Sequence, residues 1–219
     1  MSLSELWSLY GQNYIDALLA TWGMTLESFA IAMVLAVAVT VMRVSPLKPL
    51  RVFGDLYVQV FRNIPGIALL IIVVYALPPL KIVLPYRTCV IVATVLLGSA
   101  FGSENFMSGI NTVGAGQVEA ARSLGMSFSR ILAKIVIPQA LRSSVLPMTN
   151  LFIAVMLTTA LGSQVPLQPQ ELTGVVSYIN TRSLGGVAAF FISALGYLGT
   201  AFVVSHIGNY IDKKVRILR

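Results

Sequence analysis

Two stretches of this chain carry no charged side chain at all, 28 residues over 143–170 and 29 over 183–211. A helix that crosses the hydrocarbon core of a bilayer needs about 20 apolar residues, so either stretch is long enough. Only 11% of the residues are charged, against about 25% in a typical globular domain. With a mean hydropathy of +0.85, too few polar side chains remain to cover a water-facing surface. Soluble enzyme folds are excluded, and the sequence predicts an all-α membrane protein. Five spans can be read, over 20–42, 55–77 (closed by Pro78-Pro79), 87–107, 143–163 and 184–211.

An odd number of spans puts the termini on opposite sides, and Lys and Arg placement decides which. Arg43, Lys48, Arg51, Arg122, Arg130, Lys134, Arg142, Lys213, Lys214, Arg216 and Arg219 fall on one face. Lys81, Arg87 and Arg182 fall on the other, and Arg62 lies within the second span. The N-terminus is therefore expected outside and the C-terminus in the cytoplasm. The net charge of +7 follows from this clustering and does not point to nucleic acid. Cys89 is the single cysteine, which excludes an intrachain disulfide and a cysteine metal cage. His206 is alone and has no assigned role, so no metal site is expected.

Before the first span, Leu3, Leu6, Trp7, Tyr10 and Tyr14 recur at helical spacing, and Ser2 with Glu5 makes a capping box. Residues 1–15 read as an amphipathic helix in the outer interface, with a disordered tail as the alternative. Residues 16–219 form a single transmembrane domain. The opening residues lack a basic n-region, so no cleaved signal peptide is expected. Five spans are few to wall a complete pathway whose backbone must be satisfied on every side, which implies a second copy or a paralogue.

The connection over 109–142 is long and rich in helix formers. A first short helix is expected at about 117–124, ended by Gly125 in the left-handed position. A second, capped by Ser127 or Ser129, is expected to stop near Pro138. Small residues at Ala120 and Ala121 keep one face thin enough for another protein to approach. Such a helix is either a docking peg or an amphipathic helix resting on the bilayer.

Glu119-Ala120-Ala121, three residues, Gly125, nine residues, then Ile135-x-Ile137-Pro138 resembles the EAA signature of permease subunits of ABC importers, with Ile137 for the usual Leu. Tyr57 to Pro65, Gly116-Gln117, Pro138-Gln139-Ala140, Pro147, Asn150 and Glu171-Leu172-Thr173 are similar to the polar amino-acid branch. The runs MRVSPLKPLR, SGINTV and EAARSLGMSF are most similar to glutamate-type permeases. The resemblance covers about residues 20–215. It implies a type I importer permease fold and a bacterial cytoplasmic (inner) membrane location. It also implies a separate cytoplasmic ATP-binding subunit, present as a homodimer and carrying ATP and magnesium, a second permease, and an external amino-acid-binding protein. Glu119, Ala120, Ala121, Gly125 and Pro138 would then belong to the element that couples to the ATPase. No Gly-Lys pair occurs in the chain, so it has no P-loop, and it is expected to be no enzyme.

Polar residues within spans are costly and need a reason. Pro65 has no N–H for the carbonyl of Phe61, so the second span is interrupted beside Arg62 and Asn63. Broken helices in transporters build substrate sites, and an Arg there would pair with a carboxylate; the alternative is that Arg62 snorkels to the cytoplasmic interface. Glu104, which matches a Glu of the family, is either an ion-pair strut or a gate element. Its neighbour Met107 stands where relatives carry Arg. Glu27 reads as an outer-interface carboxylate. Asn150, Thr158 and Thr159 complete the candidate substrate path, although span threonines also bond their own helix. Gly98 and Gly102 would let span three pack closely. A stand-alone channel or secondary carrier, or a membrane anchor, would need neither the docking loop nor the broken span together.

Overall fold

The computed structural model describes residues 2–182 and 186–215 and is helical throughout its regular elements. Leu184, where the fifth span was expected to begin, and the tail residues Arg216 and Arg219 lie outside the described residues. Among the described residues, four helices are long and apolar enough to cross a membrane, and a bent pair brings the number to as many as five.

The first helix, α1, runs from Leu3 to Val44 without a joint. Its capping box is formed, with the Ser2 hydroxyl accepting from the Glu5 N–H and the Ser2 N–H donating to the Glu5 carboxylate. The expected separate interfacial helix over 1–15 is corrected here. At 1.5 Å per residue, these 42 residues extend about 63 Å, roughly twice a bilayer core. One buried stripe at helical spacing explains the continuity: Leu6, Tyr14, Ala17, Thr21, Met24, Ser28, Ala32, Ala36 and Val39. No proline precedes Pro46, and the helix ends at Ser45, whose extended backbone suits a residue before proline.

The second span begins at Lys48, seven residues before the expected start, and breaks sharply. Helix α2 (Lys48–Asn63) gives way to α3 (Gly66–Ile71) through Ile64 and Pro65, both non-helical. The bend between Lys48–Asn63 and Gly66–Leu80 is 102°. Two consecutive residues leave the helical region, which turns the expected interruption into a corner. A wide π turn at Ile72–Ala76 and a 3-10 turn at Pro78–Leu80 follow.

Helix α4 (Tyr86–Asn111) is the centre of the molecule. A Cβ at Gly102 would stand 2.8 Å from the Ala36 Cβ, and one at Gly98 would stand 3.2 Å from the Ala32 Cβ. Small residues four apart on both helices thus let α1 and α4 approach at backbone distance. Arg87 closes the outer end of this seam with a two-pronged pair to Glu27, at 2.7 and 2.8 Å.

Helix α8 (Val145–Thr158) continues as a 3-10 turn to Gln164, and α10 (Gly186–Val215) packs beside it. Between them lies α9 (Leu172–Arg182), an outer helix with no counterpart in the sequence reading. Its first-turn donors are all satisfied. Leu172 N–H donates to Thr21 Oγ1, Thr173 and Gly174 to the Glu171 carboxylate, and Val175 to the Glu171 carbonyl. The buried Glu171 also accepts from the Tyr197 hydroxyl at 2.9 Å.

Two outcomes follow from this packing. Gly102→Leu should destabilise the chain by about 1–3 kcal/mol, read as a lower midpoint in detergent unfolding, because the added side chain has to separate α1 from α4. Burial holds the Glu171 carboxyl above the usual carboxylate range, so the fold favours its neutral form. Stability should therefore fall as pH rises from about 4.5 toward neutral, and Glu171→Gln should flatten that slope in melts taken across the range.

Candidate functional site

Between α4 and α8 the chain leaves the bundle, folds on itself and returns. Helix α5 (Ala115–Ser123) is followed by α6 (Phe128–Ile131), a π turn at Leu132–Val136 and α7 (Ile137–Ser143). The second loop helix was expected to stop near Pro138; instead the chain stays helical through it to Ser143. The wide turn immediately upstream displaces the carbonyl that the proline ring would meet, and Pro138 falls at the first positions of α7, where its missing N–H costs nothing.

Gly125 lies at φ +74° and ends α5 as the left-handed residue of a Schellman turn. Its N–H donates to the Arg122 carbonyl at 2.9 Å, and the Met126 N–H donates to the Ala121 carbonyl at 3.1 Å. Ala121 is buried with Ile131 and Val136, and Val118 and Met126 pack around them. The smallness of Ala121 therefore serves packing inside the loop, which corrects its expected place on a partner-facing surface. Glu119 and Ala120 do face outward. So do Leu124, 83% exposed, and Phe128, neither of which the sequence reading singled out.

The feet of the loop are pinned. Gln139 donates to Gln117 at 2.6 Å, Thr112 bonds Ser143 at 3.0 Å, and Asn105 donates to the Pro147 carbonyl at 3.1 Å. Gly109 sits directly against Ala140 and Ser144. This knob is a small packed body fixed to the inner end of α4.

A charged cluster lies about two turns above that end. The Glu104 carboxylate pairs with Arg43 at 3.2 Å and with Arg62 at 3.3 Å. Arg43 also donates to Asp55 at 2.9 Å and to the Ser103 hydroxyl at 3.2 Å. The Arg62 guanidinium stands 5.4 Å from the centre of the Phe101 ring. The partner that Met107 does not supply thus comes from α1 and α2. In the sequence Arg43 counts only as a topology charge, and no local spacing links it to Glu104.

The other candidate path residues do not join this cluster. Asn63 donates to the Gln59 carbonyl of its own helix at 2.6 Å, and Asn150 is exposed on α8. Thr158 and Thr159 donate to the Ala154 and Met156 carbonyls, within the same span. Thr159 is fully buried, which removes it from any lumen and corrects its place in the path.

Comparison with known proteins gives one consistent answer. Residues 28–217 match the family described as binding-protein-dependent transport system inner membrane component. The chain is 33% identical over 208 residues to the glutamate transport system permease protein GluC of Corynebacterium efficiens, covering 90% of this chain and 91% of that one. It is 30% identical over 215 residues to the L-cystine transport system permease protein TcyB of Bacillus subtilis, covering 95% and 91%. Among solved structures, an amino acid ABC transporter crystallised with histidines superposes with a TM-score of 0.91 at 24% identity, covering 98% of this chain and 99% of that one. An inward-facing MetNI methionine ABC transporter superposes with a TM-score of 0.74 at 19% identity, covering 99% of this chain and 100% of that one. These likenesses establish the fold.

The ion cluster generates a graded outcome. The Arg43 side chain is 11% exposed and that of Arg62 is 36% exposed. Double-mutant cycles with Glu104→Gln, read by unfolding in mixed micelles, should give about 1 kcal/mol for the Arg43 pair and less than about 0.5 kcal/mol for the better-solvated Arg62 pair.

Proposed function

The chain belongs to the family of inner membrane components of binding-protein-dependent transport systems, and from that premise we propose that it carries half of the pathway of an ATP-driven importer for a polar amino acid of the glutamate type. It is a permease subunit and not an enzyme; ATP hydrolysis takes place on a separate subunit. In this reading a cytoplasmic ATPase homodimer binds ATP with magnesium. A second permease, identical or paralogous, completes the pathway, and an external binding protein delivers the amino acid. The chain lies in the bacterial cytoplasmic membrane, N-terminus outside, following the Lys and Arg asymmetry.

The observation that carries this proposal is the cytoplasmic knob. Helix α5 is too short to be stable alone, yet its far end is fixed by the Schellman turn at Gly125 and its underside by a packed apolar cluster. Glu119, Ala120 and Leu124 are thereby offered to a neighbour on a rigid support. A channel or a secondary carrier has no use for such a support, and a bare anchor has no use for the corner at Pro65. Nucleotide-driven closure of the ATPase, delivered through α5, would swing the two permeases between inward-facing and outward-facing arrangements.

Gly125→Pro tests the mechanism. Proline fixes φ near −65° and removes the N–H that bonds Arg122, so the turn cannot form. The variant should insert and purify normally but lose ATP-driven uptake at least tenfold in proteoliposomes holding the ATPase and the binding protein. Unaltered uptake would remove the coupling role. Screening the unaltered complex with Glu, Asp, Gln, Arg and His should give the highest uptake with Glu or Gln.

A further inference from the structure

Helix α10 leans on the bundle at few points. Ala189, Ser193 and Gly208 are its buried residues. A Cβ at Gly208 would fall on the Thr149 side chain, so α8 and α10 touch there, and around that contact the inner half of the span is open. A cavity of about 450 Å³ lies between α8 and α10, with Phe106, Leu141, Met148 and Ile207 among its walls. A smaller one, of about 110 Å³, lies between α1, α4 and the returning arm of the loop, and shares Phe106 and Leu141 with the first.

Neither cavity suits a polar ligand. Ser144 and Thr149, the hydroxyl residues of the larger one, donate to the Ala140 and Val145 carbonyls at 2.8 and 2.9 Å. Thr40, in the smaller one, donates to the Ala36 carbonyl at 2.7 Å. The walls hold no charged or amide side chain among the described residues, so an amino acid would leave its own polar groups unsatisfied there. A hydrocarbon chain would not.

The mouth, by contrast, is cationic. Arg142 follows Leu141, which walls both cavities, and Lys213 is two residues beyond Ile211, which walls the larger one. Both cations are exposed and make no ion pair among the described residues. Lys214 stands 4.6 Å from the centre of the Tyr210 ring, and Asp212 is the carboxylate of the same stretch. The Lys and Arg asymmetry puts this end at the cytoplasmic leaflet. A second copy of the chain would bring the same excess of cations to that depth and be repelled. An anionic lipid brings the missing charge on a hydrocarbon stem.

We propose that the cleft between α7, α8 and α10 holds one anionic phospholipid of the inner leaflet, with its phosphate between Arg142 and Lys213 and an acyl chain against Phe106 and Leu141. This site goes beyond the transport reading and stands without it. Leu141 belongs to the arm by which the knob returns to the bundle, so the lipid braces that arm against α10.

The test uses the full-length chain, purified with the subunits that accompany it and stripped of lipid by detergent washing. It is titrated with phosphatidylglycerol or with phosphatidylcholine of the same acyl chains, and bound lipid is counted by native mass spectrometry. One phosphatidylglycerol per chain should be retained, about tenfold more tightly than phosphatidylcholine. Arg142→Gln and Lys213→Gln should each weaken it about fivefold. Ile207→Trp, which fills the cavity from an exposed position, should also weaken it while the subunit composition stays the same. Arg51→Gln, which removes an exposed inner-face cation of α2 outside both cavities, should change nothing. Equal retention of the two lipids, unchanged binding in Ile207→Trp, or equal losses in Arg51→Gln and Arg142→Gln would overturn the proposal. So would Ile207→Cys chains that join in high yield as disulfide-linked pairs in the native membrane, because a second copy would then fill the cleft.

Discussion

The seam between α1 and α4 is the contact on which the other elements depend. In a bilayer, apolar side chains gain nothing by leaving lipid for one another, so close backbone approach and polar links have to hold helices together. Ala32 and Ala36 against Gly98 and Gly102 supply the approach. Glu27–Arg87 and Arg43–Glu104 supply the links at its two ends. The linked positions are 16 residues apart on α1 and 17 on α4, about 24 and 26 Å along each axis. The two ion pairs therefore clamp the same length of both helices. Val155 and Leu151 of α8 also reach the same two glycines, so one seam seats three spans.

Against that fixed centre, two prolines have opposite effects. Pro65 follows an extended Ile64 and sends the chain round a corner, while Pro138 lies within a run that stays helical. The difference lies upstream. The π turn before Pro138 already carries the widened geometry that a proline ring requires; nothing before Pro65 does, and α2 is regular to Asn63. A missing N–H is visible in the sequence at both places. Which of them becomes a corner depends on how the preceding turn packs, and no residue type announces that.

The same division governs what could be read in advance. Hydropathy marked the spans, and Gly125 announced its turn, because both signals are local. Glu104 needed Arg43, 61 positions away in the chain, and only the fold brings them together. The buried stripe of α1 includes Thr21, Ser28 and Thr40, so apolar periodicity alone does not trace it, and the division expected after residue 15 falls inside one continuous helix. Ala121 and Thr159 are of the residue types that suit a partner surface and a polar lumen, yet both point inward. Helix α9 is capped locally by Glu171, which bonds Thr173, Gly174 and Val175, and only its Leu172 N–H depends on a distant residue, Thr21.

The arrangement also bears on how a push at the membrane surface can reach the pathway. The knob is pinned to the inner end of α4 through Gly109 and Thr112. Glu104 is five residues above Gly109, about 7.5 Å along the axis, and it holds Arg62, two residues before the corner at Ile64 and Pro65. A continuous helix can pass a displacement along its length, whereas a bilayer-facing loop would dissipate it. A corner made of two extended residues, with only Ile64 N–H tied back to Val60, is the softest point on that route. In the proposed mechanism, motion delivered at α5 would meet continuous helix until the corner in span two, where a pathway would change shape without unpacking the α1–α4 seam.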